Sequence, residues 1–434
     1  MNYYNLKDKK EKVSFKTASI KGQGKEKGLF FPEKIPLFDT YFIQNLNRFS
    51  DEEIAFQCMK DFVDKEIPEN ELRQIISETI SFDIPLKKIT DSISVLELFH
   101  GPTLAFKDVG ARFMSRCLSY FLKGGQKKVT VLVATSGDTG GAVAHGFYNV
   151  DGIDVVILYP KERVSPVQEK QLTALEGNIT ALEVNGNFDD CQSLVKQAFS
   201  DPEINNKLFL TSANSINIAR WLPQQIYYLL ALKQWQKTEK ENPVICVPSG
   251  NFGNICAGLM TYMRGLPADH FIAACNANDV VPHYLKTQIF EPKETVATLS
   301  NAMDVGNPSN FIRILEMFQH QFEDLNHVIS GYSVNDEETL ATIREVWEHH
   351  VYLLEPHGAV AYNSLENYLK QNPEKKGFIL ETAHPVKFPD AVEKAIAQKI
   401  DILESLSDLM KKDKKTIKIN SDFQELKRFL LNKN

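Results

Sequence analysis

Lys107 is the residue of this chain best placed for covalent chemistry. It lies in the run Phe99-His-Gly-Pro-Thr-Leu-Ala-Phe-Lys-Asp108, between an aromatic residue and an aspartate, where an extended apolar segment gives way to a helical one. A helix start is electropositive; with partial burial it disfavours the ammonium form and frees the amine to act as nucleophile or base. A lysine that merely caps a helix entrance would look the same locally, so the reading depends on the other loops.

Three further loops carry chemistry of a matching kind. Thr135-Ser-Gly-Asp-Thr-Gly-Gly141 directly follows the apolar run Val129–Ala134 and opens a stretch of small residues. Backbone N–H groups at such a helix start, with the Ser136 and Thr139 hydroxyls, suit a carboxylate; a tight turn capped by Asp138 is the structural alternative. Pro248-Ser-Gly-Asn-Phe-Gly-Asn254 follows the run 244–247. Its glycines permit close backbone approach, and its N–H groups with the following helix dipole suit a phosphate. It is neither a Walker loop nor Gly-x-Gly-x-x-Gly. Glu381-Thr-Ala-His-Pro385 follows the run 377–380, and a threonine there could hydrogen-bond a ring nitrogen. His384 reads as a histidine held before a proline turn, and His349-His350 as surface residues without metal-ligand spacing. A neutral lysine forms Schiff bases with carbonyls. Pyridoxal phosphate, an aldehyde with an anionic tail, is the commonest such carbonyl in enzymes.

The elements that position these loops are legible as alternating strands and helices. Apolar runs at 129–134, 155–159, 179–184, 244–247, 271–275 and 377–380 read as strands; 165–175, 188–199 and 255–264 read as helices between them. The residues Val109, Phe113, Met114, Cys117, Leu118, Phe121 and Leu122 keep a helical period after Lys107, and Gly124-Gly125 stops it. Continuous apolar strands separated by helices predict a parallel sheet covered on both faces. The first ninety residues differ: Ile54, Cys58 and Phe62 share one helix face, which predicts a small, mainly helical N-terminal domain. The expected organisation is 1–90 for that domain, 91–225 for an α/β domain with the lysine and the Ser-Gly-Asp-Thr turn, and 226–434 for an α/β domain with the phosphate loop. The tail from Ser405 reads as a surface helix with a frayed end.

Composition bounds the function. The chain has 434 residues, enough for two or three domains, and is 43% hydrophobic and 24% charged. A net charge of -7 argues against a nucleic-acid partner. No apolar run predicts a membrane span and the N-terminus lacks a signal-peptide core. The six cysteines are widely spaced without Cys-x-x-Cys, which fits buried thiols in a reducing cytoplasm and no metal site.

Taken in order, Phe99–Asp108, Ser136-Gly-Asp-Thr139, Gly250-Asn-Phe-Gly253 and Glu381-Thr-Ala-His-Pro-x-Lys-Phe388 resemble the threonine synthase family. So do Asn214-Ser-Ile-Asn-x-Ala-Arg-Trp221 and Met303-Asp-Val-Gly-Asn-Pro-Ser-Asn-Phe311, while Gly28-Leu-Phe-Phe-Pro32 is similar to its longer microbial and fungal type with an extra N-terminal domain. The resemblance implies the tryptophan-synthase-β-like fold, with two open α/β domains flanking a cleft for pyridoxal phosphate. It implies that Lys107 carries the Schiff base, that Gly250, Asn251, Phe252, Gly253 and Asn254 cup the cofactor phosphate, and that Thr382 faces the ring nitrogen. A hydroxyl there is expected to leave that nitrogen largely unprotonated. Ser136, Gly137, Asp138 and Thr139 are expected to take the substrate carboxylate, and Asn214, Asn217 and Arg220 the substrate's phosphate side. Asn254 stands where many relatives have aspartate. The implied activity is the last step of threonine biosynthesis, O-phosphohomoserine and water to threonine and phosphate, by a cytoplasmic monomer or homodimer. The alternatives are another pyridoxal-phosphate enzyme of the fold (a serine or threonine dehydratase, a cysteine synthase using O-acetylserine, a phospholyase) or a non-catalytic relative.

Overall fold

The structure is a computed structural model and describes residues 1–124 and 128–432. Two largely parallel sheets carry the chain. The first has the order Ile417–Asn420, Ile179–Asn185, Ile153–Pro160, Val129–Ala134, Phe209–Thr211, with every pair parallel. All of Val129–Ala134 is buried, as a strand covered on both faces requires. The second has the order Ile329–Ser333, His270–Cys275, Val244–Pro248, Gly377–Glu381, Ile93–Glu97, Leu86–Lys88, parallel except for the Leu86–Lys88 edge.

Sheet membership does not follow chain order. Ile93–Glu97, which leads to Lys107, lies beside Gly377–Glu381 in the second sheet, whereas the tail strand Ile417–Asn420 returns to edge the first. The tail is therefore not one surface helix but a helix Glu404–Lys411, that strand, and a helix Phe423–Asn432. Leu426 and Leu430 are buried against the helix Phe188–Ser200 side of the first sheet. The short apolar alternation 417–420 was masked in the sequence by the lysines around it.

The N-terminal segment has the expected helices, Asp51–Val63 and Glu69–Thr79, with Ile54, Cys58 and Phe62 buried. It also has a three-stranded antiparallel sheet, order Lys12–Ser14, Asn2–Asn5, Phe30–Pro32. These strands are too short to declare a period. Two buried arginines tie this segment to the rest. Arg264 donates to Pro36 O at 2.9 Å and Cys58 O at 2.8 Å, and stacks on Phe38. Arg313 donates to Phe30 O and Ile216 O and lies over Trp221.

The helix after Lys107 runs Lys107–Leu122, and Gly124 follows with φ 76°. Gly125 lies outside the described residues. The other helices fall within a few residues of expectation, at Pro166–Thr173, Phe188–Ser200 and Gly253–Met263. In consequence the loops at 98–106, 135–137, 249–252 and 382–384 all leave the carboxyl ends of parallel strands, where an open α/β sheet binds ligands.

Candidate active site

These loops line one cavity of about 690 Å³. Lys107, Ser136, Asp138, Thr139, Asn214, Arg220, Gly250, Asn251, Phe252, Gly253, Asn254 and Thr382 all border it. Its other charged lining groups are Lys21, Lys27, Lys196 and Asp304, so even without Lys107 four cationic side chains, Arg220 included, face two carboxylates. An acidic chain thus keeps a cationic cavity, the balance that anionic ligands require.

The lysine loop is tied to the threonine loop by backbone. Phe106 N donates to Thr382 O at 2.9 Å, His384 N donates to Leu104 O at 3.1 Å, and Ala105 bridges Ala383. Asp108 is structural: buried, it accepts from Thr103 N at 2.9 Å and Thr103 Oγ1 at 2.6 Å, closing the turn that presents Lys107. Lys107 starts its helix and its amine has no hydrogen-bond partner among the described residues. Burial away from bulk water lowers its pKa; Asp138 opposes this, and Lys387 and Arg220 add to it.

At the second loop, Thr135 Oγ1 accepts from Gly137 N at 3.0 Å and Gly140 N at 2.8 Å, which fixes the entry to helix Asp138–Phe147. Gly137 has φ 139°, and a Cβ there would meet Gln168 at 2.5 Å, so its role is conformational. Asp138 does not offer its carboxyl to a carboxylate ligand. It is buried and paired with Lys387 Nζ at 2.7 Å, with Gln168 Nε2 donating at 2.9 Å. Burial alone would raise this carboxyl; Lys387, then Lys107, outweigh burial and hold it below the usual carboxylate range. Lys387 is itself fully buried and also donates to Thr103 O at 2.7 Å. Sequence reasoning gave it no role, although it stands in the quoted 381–388 segment.

The third loop fits a phosphate by its own geometry. Phe252 takes a left-handed φ of 59° so that helix Gly253–Met263 begins with its N–H groups toward the cavity. A Cβ on Gly250 would lie 2.5 Å from Met303 Cα, so only glycine lets the two backbones approach. Asn254 is buried; its Oδ1 accepts from Tyr228 at 2.8 Å and its Nδ2 has no partner. That orphaned donor at a helix N-terminus is what an aspartate could not supply to an anion. Asn251 instead braces the loop, donating to Ser215 Oγ at 2.7 Å and accepting from Ser309 N at 2.6 Å.

Around Thr382 the structure adds residues the sequence gave no reason to choose. Thr382 Oγ1 donates to Glu355 Oε1 at 3.3 Å. Glu355 caps helix Pro356–Gln371 and holds His357 against the cavity wall. The buried Glu381 carboxyl beneath is pushed well up, by burial first and then by Glu355. On the remaining side, Arg220 is buried against the cavity with its Nη1 donating to Ala213 O, while its Nε has no partner. Burial lowers its pKa to about 10. Asn217 is not brought to the site: its Nδ2 donates to Ser19 O at 2.8 Å and Ser212 O at 3.1 Å, and its Oδ1 caps the helix Ile218–Trp221 at Ala219 N. His384 also stays outside the cavity lining, accepting from Val386 N and packed edge-on to Phe99. Among the described residues no cluster of metal-ligating side chains occurs.

Comparison with known proteins decides the family. Three family signatures match, "Pyridoxal-phosphate dependent enzyme" over residues 86–380, "Threonine synthase N terminus" over 2–80 and "Threonine synthase, C-terminal" over 358–430. The chain is 45% identical to the threonine synthase of Haemophilus influenzae, covering 99% of this chain and 100% of that one. It belongs to the threonine synthase family. The crystal structure of threonine synthase from Escherichia coli superposes with a TM-score of 0.93 at 43% identity, covering 100% of both chains. That of the pyridoxal-phosphate-bound enzyme from Brucella melitensis gives 0.91 at 33% identity, covering 99% of this chain and 98% of the other. The fold is therefore the α/β fold of these synthases with its N-terminal domain, the protein is a pyridoxal-phosphate enzyme of amino-acid biosynthesis, and pyridoxal phosphate is its cofactor. No helix among the described residues is long and apolar enough to cross a membrane.

Proposed function

We propose that this chain converts O-phosphohomoserine and water into L-threonine and phosphate, with Lys107 as the covalent anchor of the cofactor and the proton carrier at the substrate α carbon. The observation that supports this most directly is the convergence of Lys107, the 250–254 loop and the Ser136–Thr139 turn on one cationic cavity. The bound cofactor supplies an electron sink for the α carbanion. The chain supplies the rest. The N–H groups at the start of helix Gly253–Met263, with Asn254 Nδ2, hold the cofactor phosphate. Ser136, Thr139 and the backbone around Gly137 bind the substrate carboxylate, while the Lys387–Asp138 pair keeps that turn rigid and its carboxyl neutralised. Lys107, with its pKa lowered by burial, takes and returns the proton at the α carbon. Arg220 and Asn214 face the substrate's phosphate side. Every group used comes from one chain, which is compatible with either a monomer or a homodimer. Buried thiols at all six cysteines fit a cytoplasmic setting.

Incubation of the reconstituted protein with O-phosphohomoserine, following threonine and phosphate together, tests the reading. Equal release of both products is expected. Ammonia release from threonine at a greater kcat/KM would refute it in favour of a dehydratase.

A further inference from the structure

The charged groups of the cavity lie at two depths. Arg220 and Asp138 are buried, with Asp138 committed to Lys387. Lys21, Lys27 and Lys196 border the same cavity but are exposed, so they stand at its mouth. Among the described residues Lys27 and Lys196 have no carboxylate within ion-pair distance, and Lys21 has only Glu11, at 3.6 Å. The acidic groups around them are engaged elsewhere. Glu11 accepts from Asn5 Nδ2 and Lys25 N, both at 2.8 Å; Asp190 accepts from Asn187 N at 2.7 Å in a capping box; Asp304 accepts from Thr298 Oγ1 at 2.7 Å and Asn276 Nδ2 at 2.9 Å. Glu26 and Asp189 are exposed and line no part of the cavity.

The two sides of this mouth come from different parts of the fold, and both are held in place. Lys196 stands on helix Phe188–Ser200, whose Leu194, Val195 and Ala198 are buried against the first sheet. Lys21 ends helix Phe15–Lys21 of the N-terminal segment, which Asn217 Nδ2 pins to the cavity wall by its bond to Ser19 O. The turn that follows is closed by Gly24 N donating to Gly28 O at 2.8 Å and by Asn5 Nδ2 donating to Lys25 O at 3.0 Å. Inside it Glu26 and Lys27 are both left-handed, with φ of 53° and 58°. Residues with a Cβ take that conformation only where their surroundings impose it, and such strain gathers at functional sites.

Resting on the proposed reaction, we infer that Lys21, Lys27 and Lys196 form an outer anion site, a cationic mouth that captures the phosphate group of the substrate before it reaches the buried end of the cavity. The ligand class is a phosphate monoester, which carries close to two negative charges at neutral pH. A chain of net charge -7 repels such an anion unless a local cationic patch gathers it. Lysines suit this station: they are flexible point charges that attract without fixing a geometry, whereas the planar guanidinium of Arg220 suits the inner one. The N-terminal segment thereby contributes to substrate selection, and Asn217 acts on it as a positioning residue.

The test is the salt dependence of kcat/KM for O-phosphohomoserine, measured on the holoenzyme for the wild type, Lys27→Gln, Lys196→Gln and the double variant. At low ionic strength each single variant is expected to lose about threefold and the double about tenfold, through KM more than kcat. At about 1 M salt, where the Debye length is about 3 Å, the losses should shrink to within about twofold. Lys25→Gln removes the same charge from the same turn but borders no part of the cavity, and is expected to match the wild type. Titration of the cofactor absorbance with L-threonine, which carries no phosphate, is expected to give the wild-type affinity in every variant. A double variant within about twofold of wild type at low salt, a Lys25→Gln loss equal to that of Lys27→Gln, or an equal loss of threonine affinity overturns the inference while leaving the proposed reaction standing. Wild type that releases no phosphate from O-phosphohomoserine overturns the reaction, and the inference with it.

Discussion

Removing Lys387 should expose how much the Asp138 pair contributes. The ions are 2.7 Å apart, Lys387 fully buried and Asp138 nearly so. At an effective dielectric constant of 20 their attraction is about 6 kcal/mol. Desolvating each ion costs several kcal/mol, so the pair as a unit is close to neutral for stability. Lys387→Met keeps the burial cost of Asp138 and deletes the attraction, a loss of roughly 3–5 kcal/mol. For a chain of this size that corresponds to a fall of about 3–10 °C in melting temperature, extrapolating the size trend of small domains. The assay is calorimetry of the apoprotein, for Lys387→Met, Asp138→Asn and the double variant. The double variant should recover most of the loss, since two neutral groups replace the stranded charge. The pH dependence has a definite sign. In the wild type the carboxyl of Asp138 is held below its unfolded value, so its stabilisation is present above about pH 4 and is lost as pH falls through the lower folded pKa. In Lys387→Met burial dominates and raises that carboxyl, so the penalty should be largest at pH 7 and shrink toward pH 4. A Lys387→Met protein that melts within about 1 °C of wild type at pH 7, or a penalty that grows on acidification, would refute this account of the pair.

Three further outcomes follow from the same geometry. Gly250→Ala puts a Cβ 2.5 Å from Met303 Cα, so the 250–254 loop must shift; cofactor affinity, read by equilibrium titration, should fall at least about tenfold, the equivalent of 1.4 kcal/mol. Arg220→Ala should raise the KM for O-phosphohomoserine more than it lowers kcat if the guanidinium binds the substrate's phosphate side, and an unchanged KM would assign it to packing alone. Because burial lowers the Lys107 pKa, the alkaline rise of kcat, which reports the substrate complex in which the amine is released from the cofactor, should come below the ordinary lysine range, and adding salt should move it little, since the amine lies inside the cavity.

The sheets and the cavity loops were legible because both leave local signals. Apolar strand runs ending in glycine or hydroxyl residues mark carboxyl edges, and Lys107, Thr135–Gly141 and Pro248–Asn254 were found that way. What the sequence hid were partnerships between distant segments. Lys387 follows its strand by six residues and looks like any surface lysine until Asp138, some 250 positions earlier, is seen beside it. Glu355 resembles an ordinary helix cap, which it also is. Asn217 misled for the opposite reason: its neighbours Asn214 and Arg220 reach the cavity, but an asparagine one turn along is consumed by capping. The strand Ile417–Asn420 escaped because its partner, Ile179–Asn185, lies more than 200 residues away.

The strand order also divides labour. Lys107, Thr382 and the 250–254 loop all spring from neighbouring strands of the six-stranded sheet, whereas the Ser136–Thr139 turn springs from the other. On the proposed assignment, sliding one layer past the other would displace the incoming amino acid relative to its reagent without loosening the reagent's own moorings. The Lys387–Asp138 bond spans that seam and would have to stretch or break for such a displacement.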